Sequence, residues 1–160
     1  MSNQNPTEGR DLSWYFDHHQ RYTTDPVAAH DWDASSNPQA RATGTHPTLF
    51  LTTTGAKTGL RRSTPLLYQP CGEGFVVVAS KGGTDAHPGW YFNLLADPNC
   101  EVVAGSLVCT ATAKTLAGDE REPFWESMVR FWPDYEVYQS RTTRQIPVVV
   151  LRIDNVQLSR

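Results

Sequence analysis

From His46 onward the apolar residues fall into short runs rich in Thr, Val and Leu, each bounded by Gly, Pro or Asn. That punctuation leaves few architectures open. Pro47–Thr54 reads as a strand, Gly55-Ala56-Lys57-Thr58-Gly59 as a turn, and Arg62–Tyr68 as the returning strand. After a second turn at Pro70–Gly74, the run Phe75-Val76-Val77-Val78-Ala79 is continuous and apolar, as expected for a buried strand. Strands near Cys100–Ala104 and Leu107–Lys114 are joined by Gly105-Ser106, and Ile146–Ile153 is the last.

Helical spacing is confined to three places. Residues 8–22 carry Leu12, Tyr15, Phe16 and His19 at i, i+3, i+4, i+7, and a Pro/Ala/Asp/Ser/Asn-rich connection follows to about His46. Pro88–Leu95 is stopped by Asp97-Pro98. A third helix is expected from Asp119, with Glu122 completing a capping box and Pro133 ending it; Phe124, Trp125, Met128, Val129 and Trp132 form its apolar face. The first six residues match no element and are expected to be disordered. Six short strands in hairpins with three outer helices predict a mainly β (α+β) fold, a small antiparallel barrel rather than a Rossmann sheet.

A chain of 160 residues is long enough to bury roughly two-thirds of its unfolded surface as one domain. We divide it into 1–45 (N-terminal tail, helix and connection) and 46–160 (the barrel). No stretch approaches ~18 consecutive apolar residues, so no transmembrane helix is expected. Met1–Pro6 has neither a basic nor an apolar segment, so no signal peptide is expected. Cys71, Cys100 and Cys109 are odd in number and form no Cys-x-x-Cys pair, as expected for free thiols in a cytoplasmic protein.

Charge is unevenly laid out. Net charge is −3, which disfavours a nucleic-acid surface. Residues 1–33 hold six acids and two bases, whereas 34–72 hold no acid and Arg41, Lys57, Arg61 and Arg62. Such an island suits a small polyanionic ligand; a solvated basic hairpin tip is the alternative. The turn at Thr54–Gly59 is not a P-loop, because Ala56 stands where Gly should precede Lys and a hairpin holds it. Its glycines still let amides converge on an anion, with Lys57 and Arg62 supplying charge. Ser80-Lys81-Gly82-Gly83 lacks the leading Gly of a nucleophile elbow and reads as a strand-end loop with exposed amides. The five histidines show no ligand spacing, so no metal is predicted. Aromatic residues at 132, 135 and 138, around Pro133, fit either helix packing or a loop walling a flat ligand; Trp90 and Tyr91 belong with them.

Taken in order, Leu51–Gly59, Arg62-x-x-Pro65-Leu66, Ala79–Gly83, Pro88-x-Trp90-Tyr91-x-Asn93-Leu94 and Arg141-Thr142-x-Arg144-x-Ile146-Pro147 resemble the deazaflavin-dependent nitroreductase family over roughly residues 46–153. The resemblance implies a split β-barrel of mostly antiparallel strands that binds coenzyme F420 and passes a hydride from its reduced form to a quinone, enone or nitro-type acceptor. It implies that Lys57, Thr58, Gly59 and Arg62 hold the phosphate and carboxylates of the tail. Ser80, Lys81, Gly82 and Gly83 would contact the cofactor near ring or phosphate, and Pro65-Leu66 would floor the ring. Trp90, Tyr135, Tyr138 and Ser80 would face the substrate, making them the expected catalytic set. Trp132 stands where relatives carry Tyr, and Leu67 where some carry Tyr after the Pro-Leu pair, with Tyr68 on the other strand face.

Two other readings stay open on the residues. One is a flavin-mononucleotide split-barrel oxidase; the other is a carrier that binds F420 without turnover. The partner expected is a small-molecule hydride acceptor, with no nucleic acid and no integral membrane segment. The aromatic N-terminal helix is expected to act as a lid or a peripheral membrane contact, with the lid favoured because few basic residues accompany it. The oligomer is left open, a homodimer included.

Overall fold

Alternation along one strand shows how the barrel is built. In β2 (Thr45–Thr54) the side chains of Leu49, Leu51 and Thr53 are fully buried, whereas Phe50 and Thr52 between them are half-buried. That is the two-residue period of a strand with one face on a core. The computed structural model describes residues 11–157, and the expectations for residues 1–10 lie outside them. Among the described residues seven further strands join β2: β1 (Asp31–Asp33), β3 (Arg61–Leu67), β4 (Gln69–Cys71), β5 (Gly74–Val78), β6 (Asn99–Ala104), β7 (Leu107–Thr115) and β8 (Val148–Gln157). They form one curled antiparallel sheet in the order β1-β2-β6-β7-β8-β5-β4, with β3 also on β2. β3 and β4 are consecutive in the chain, so Tyr68 spans the open side of this half-barrel covalently. A register shift at Thr110/Ala111 marks a bulge in the β7–β8 ladder.

The continuous apolar run of β5 has a two-sided purpose. All five of its residues are buried. Phe75 and Val77 join Leu49, Leu51, Val102, Cys109 and Leu151 inside the barrel. Val76 and Val78 join Val148, Val150, Trp32, Met128, Trp132 and Ile146 in a second core outside it. Each fully buried Val or Leu contributes about 1.5–3 kcal/mol relative to exposure, so this strand stabilises two layers at once.

Five helices flank the sheet among the described residues: α1 (Ser13–Thr24), α2 (Pro26–His30), α3 (Gly89–Ala96), α4 (Gly118–Phe131) and α5 (Asp134–Ser140). The excess over six strands and three helices consists of short elements. β1 and β4 have three residues each and no apolar run; they exist because neighbours pair with them. α5 follows α4 directly because Pro133, with φ −57°, breaks one helix and starts the next. The capping box at Asp119 does not form. Gly118, at φ +56°, opens α4 earlier, Asp119 lies within its first turn, and Glu122 pairs with Arg121 at 3.0 Å.

α1 is rotated from its expected phase. Phe16 is 65% exposed, whereas His18 and Tyr22 are buried, so the inner stripe runs through Trp14, His18 and Tyr22. The helix is therefore core on one face rather than peripheral throughout. His18 Nε2 lies 2.9 Å from the Ala29 carbonyl and 3.2 Å from Thr48 Oγ1, and the Tyr22 hydroxyl donates to the Thr48 carbonyl. Burial holds the imidazole pKa below its ordinary value, with Arg21 adding to the effect and the Ala29 bond opposing it.

A depressed histidine pKa stabilises the fold above the unfolded value of about 6.5, and that contribution is lost as pH falls through the lower folded value. The thermal midpoint should therefore decline below about pH 6.5. His18→Gln, whose amide can donate to Ala29, should flatten that decline; midpoint profiles parallel to wild type would exclude His18 as its source.

Candidate functional site

A groove of about 1420 Å³ extends from the β2–β3 turn, past β3 and the end of β5, to α5 and α1. Its first end is set by the turn. Gly55 N–H donates to the Leu60 carbonyl at 2.7 Å and Gly59 N–H to the Gly55 carbonyl at 2.8 Å. A Cβ on Gly55 would stand 2.6 Å from Thr58 Oγ1 and 3.1 Å from the Leu60 carbonyl, so the turn is too tight for a side chain there. Asn93 of α3 pins the turn to the helix: its Oδ1 accepts from Ala56 N–H at 2.9 Å, and its Nδ2 donates to Thr53 Oγ1 at 3.0 Å. Lys57, Thr58 and Arg62 thereby line the groove beside Pro65 and Leu66 of β3.

The middle is the loop after β5. Ser80 is right-handed, whereas Lys81, Gly82 and Gly83 have φ of +45°, +64° and +82°. A right-handed residue followed by a left-handed one turns successive N–H groups toward one concavity, an anion-binding nest. Holding a non-glycine residue in such a region costs on the order of 1–3 kcal/mol, so something must over-determine it. Arg144 does so. It donates to the carbonyls of Thr84 (2.8 Å), Ser80 (2.8 Å) and Ala79 (3.2 Å) and to Nδ1 of His87 (3.0 Å). Because guanidinium only donates, His87 Nδ1 must be the acceptor and its ring neutral. Burial, with Arg144 adding, lowers the His87 pKa in keeping with that state. Arg141 donates to the Gly82 carbonyl at 3.2 Å and lies over the Tyr138 ring.

The far end is aromatic. Trp90, Trp132, Tyr135 and Tyr138 line it. Tyr135 is 4% exposed, with its ring centroid 6.1 Å from Tyr138 and 6.4 Å from Trp125. Burial, with Tyr138 adding, raises its phenol pKa well above the ordinary range, so Tyr135 keeps its proton. Among the described residues five cationic side chains stand around the groove (Arg41, Lys57, Arg62, Lys81 and Arg141) against one carboxylate, Asp134, which already accepts from Arg41 N–H at 3.0 Å. A cationic end, a nest and an aromatic end fit an elongated polyanion that carries a flat ring.

The groove brings together the predicted Lys57, Thr58, Arg62, Pro65, Leu66, Ser80, Lys81, Gly82, Trp90, Tyr135 and Tyr138. Two predicted residues stand apart from it. Gly59 is an exposed turn residue at φ +71°, and Gly83 is buried beneath α5. Sequence reasoning missed Trp14, His18 and Trp32 as groove residues, although the 14, 18, 22 spacing carried the signal once histidine is counted as packing. Asn93 and Arg144 stood inside recognisable motifs, but their partners lie 37 to 65 residues away in the chain.

A family model described as F420H(2)-dependent quinone reductase matches residues 29–152. An F420H(2)-dependent quinone reductase of Mycobacterium tuberculosis (strain H37Rv) is 43% identical over 119 residues, covering 69% of this chain and 76% of that protein. A solved F420-H2 dependent reductase (FDR-A) is 43% identical with a TM-score of 0.62, covering 66% of this chain and 94% of that one. A solved domain-swapped dimer is 34% identical with a TM-score of 0.63, covering 86% and 96%.

Gly83 carries a structural prediction. A Cβ there would lie 2.4 Å from the Tyr138 carbonyl oxygen and 2.7 Å from its Cα, at a φ of +82°. Gly83→Ala should therefore cost about 2–4 kcal/mol by thermal or urea denaturation, since α5 must lift off the loop. A loss under about 0.5 kcal/mol would mean the two backbones are not packed this way.

Proposed function

The chain belongs to the F420H(2)-dependent quinone reductase family, and from that premise we propose how its groove divides the work. Lys57, Thr58 and Arg62 hold the phosphate and carboxylates of the coenzyme tail, while Gly59 outside the groove serves the turn at its positive φ. Ser80, Lys81 and the Gly82 backbone meet its phosphate or ring edge, with Gly83 beneath α5 fixing the loop from behind, and Pro65 and Leu66 floor the ring. Trp90, Tyr135, Tyr138 and Ser80 face the acceptor. The observation that carries this reading is the succession along one groove of cations, nest and aromatic wall.

When bound, the reduced deazaflavin supplies the hydride. The chain's own task is to orient it, exclude water and stabilise charge on the acceptor oxygen. Tyr135 suits that last role because its hydroxyl keeps its proton and, being buried, acts where water screens least. A quinone takes up a hydride and a proton to become a hydroquinone, and the proton comes ultimately from solvent. Enones and nitro compounds build the same oxygen anion and are acceptors of the same kind.

No helix among the described residues is long and apolar enough to cross a membrane. A cytoplasmic enzyme with no nucleic-acid partner agrees with the acidic net charge. Phe16, Phe92 and Leu95 are exposed and support a peripheral membrane contact, through which a lipid-dissolved quinone would reach the groove. The domain-swapped relative supports a homodimer.

Lys57→Ala with Arg62→Ala should weaken F420 binding about ten- to a hundredfold at low ionic strength and reduce its salt sensitivity. Parallel titrations with F420 and FMN measure this, and an unchanged F420 affinity would refute the tail assignment. Tyr135→Phe keeps the packing and deletes the donor. Its kcat/KM for a quinone should fall by about one to two orders of magnitude with F420 affinity intact. The wild-type rate should also show no alkaline loss near the free phenol pKa of about 10; such a limb, absent in Tyr135→Phe, would contradict a neutral buried phenol.

A further inference from the structure

Beyond Tyr135 the groove continues between α1 and β1, where Trp14, His18 and Trp32 line it with Trp132. The four rings form one cluster. Trp32 has its centroid 5.5 Å from Trp14, 6.0 Å from His18 in a stacked pair and 6.0 Å from Trp132. The polar atoms beside them are paired: His18 with Ala29, Tyr15 with Thr64 Oγ1 at 2.8 Å, and Thr48 with the Ala29 and His30 carbonyls at 3.0 Å. The indole N–H groups of Trp14 and Trp32 are not. Both are buried with no hydrogen-bond partner among the described residues, and Trp32 is only 5% exposed. Folded proteins avoid burying a donor unpaired, so two in one groove wall need a reason.

We propose that Trp32, with Trp14, is a specificity-determining pair that hydrogen-bonds a carbonyl oxygen of the hydride acceptor through the indole N–H. This rests on the reading of the aromatic end as the acceptor site. An indole N–H only donates, so the group it recognises must be an acceptor. A quinone carbonyl meets that demand. The hydroxyl of the hydroquinone product meets it less well, because its oxygen is a donor whose lone pair is conjugated with the ring. The pair therefore holds the oxidised acceptor more tightly than the reduced product and favours product release. Both nitrogens lie beneath the surface, so the acceptor reaches them by parting Trp14 from Trp32. Trp14 sits in the first turn of α1 and is only half-buried, which makes it the side chain that yields.

The test uses the full chain, F420H2 and 2-methyl-1,4-naphthoquinone. Trp32→Phe keeps a ring in the stack and deletes the donor. KM for the quinone should rise about tenfold, with kcat changing by less than about twofold. F420 affinity should not move, and the thermal midpoint should fall at most modestly, because the smaller ring loses some packing while an unpaired donor is removed. Trp14→Phe should act in the same direction and carries the test should Trp32→Phe fail to fold. An unchanged KM overturns the proposal, and so does a raised KM accompanied by weakened F420 binding or a matching loss of kcat, the mark of a disturbed groove. Wild-type protein that turns over no quinone would instead refute the acceptor-site reading itself.

Discussion

β5 is buried on both faces, and the rest of the structure depends on that. Its odd residues complete the barrel interior and its even ones complete the outer core with β8, α4 and Trp32. A strand held from both sides cannot slip by one residue, because a slip would exchange the two sets of side chains between cores of different shape. The loop that leaves it at Ala79 is thereby delivered to a fixed place. Arg144, which follows α5 and precedes β8, then grips that loop through three carbonyls. Site and scaffold share the same strands.

Electrostatics and strain meet in the Ser80–Gly83 loop. Of its three consecutive residues at positive φ, Gly82 and Gly83 adopt that region freely and Lys81 is the one local propensity opposes. The arrangement persists because Gly83 packs against the α5 backbone and Arg144 and Arg141 hold its carbonyls. Guanidinium groups thus occupy the Ser80 and Gly82 carbonyls and Gly83 N–H is spent on the Ser80 carbonyl, so an anion would meet the loop through its earlier N–H groups. Preorganisation of this kind is arranged before a ligand arrives and lowers the ordering cost of binding.

At the aromatic end the same economy is relaxed. Tyr135 keeps its proton in a buried position, and two indole donors lie in the wall without partners among the described residues. Unmatched donors in a groove wall mark a place where stability has been ceded to recognition; the third unmatched atom among the described residues, Arg121 Nε, lies outside the groove in a guanidinium already bonded to Glu122 and the Ile146 carbonyl. α1 joins this end to the scaffold through the His18, Tyr22 and Thr48 contacts, so the helix that walls the groove is also anchored in the core.

Much was legible in the sequence. The period-two strands, the glycine-bearing turns, the acid-free stretch holding Lys57 and Arg62, and the aromatics around Pro133 all report on local conformation or charge, which neighbouring residues determine. The half-barrel and the cationic turn could be named on that basis, whereas the roles of Ser80, Trp90, Tyr135 and Tyr138 were implied by the ordered motifs that resemble the deazaflavin-dependent nitroreductase family. Only tertiary structure decided the phase of α1, the short strands β1 and β4, and the failure of the Asp119 cap, because pairing and packing partners override weak local preference. It alone decided that Arg144 clamps the loop, that Gly83 lies under α5, and that the indole groups of Trp14 and Trp32 go unpaired. Those are facts about which distant groups meet, and a hydrogen bond made or missed across the fold leaves no trace in the spacing of residues along the chain.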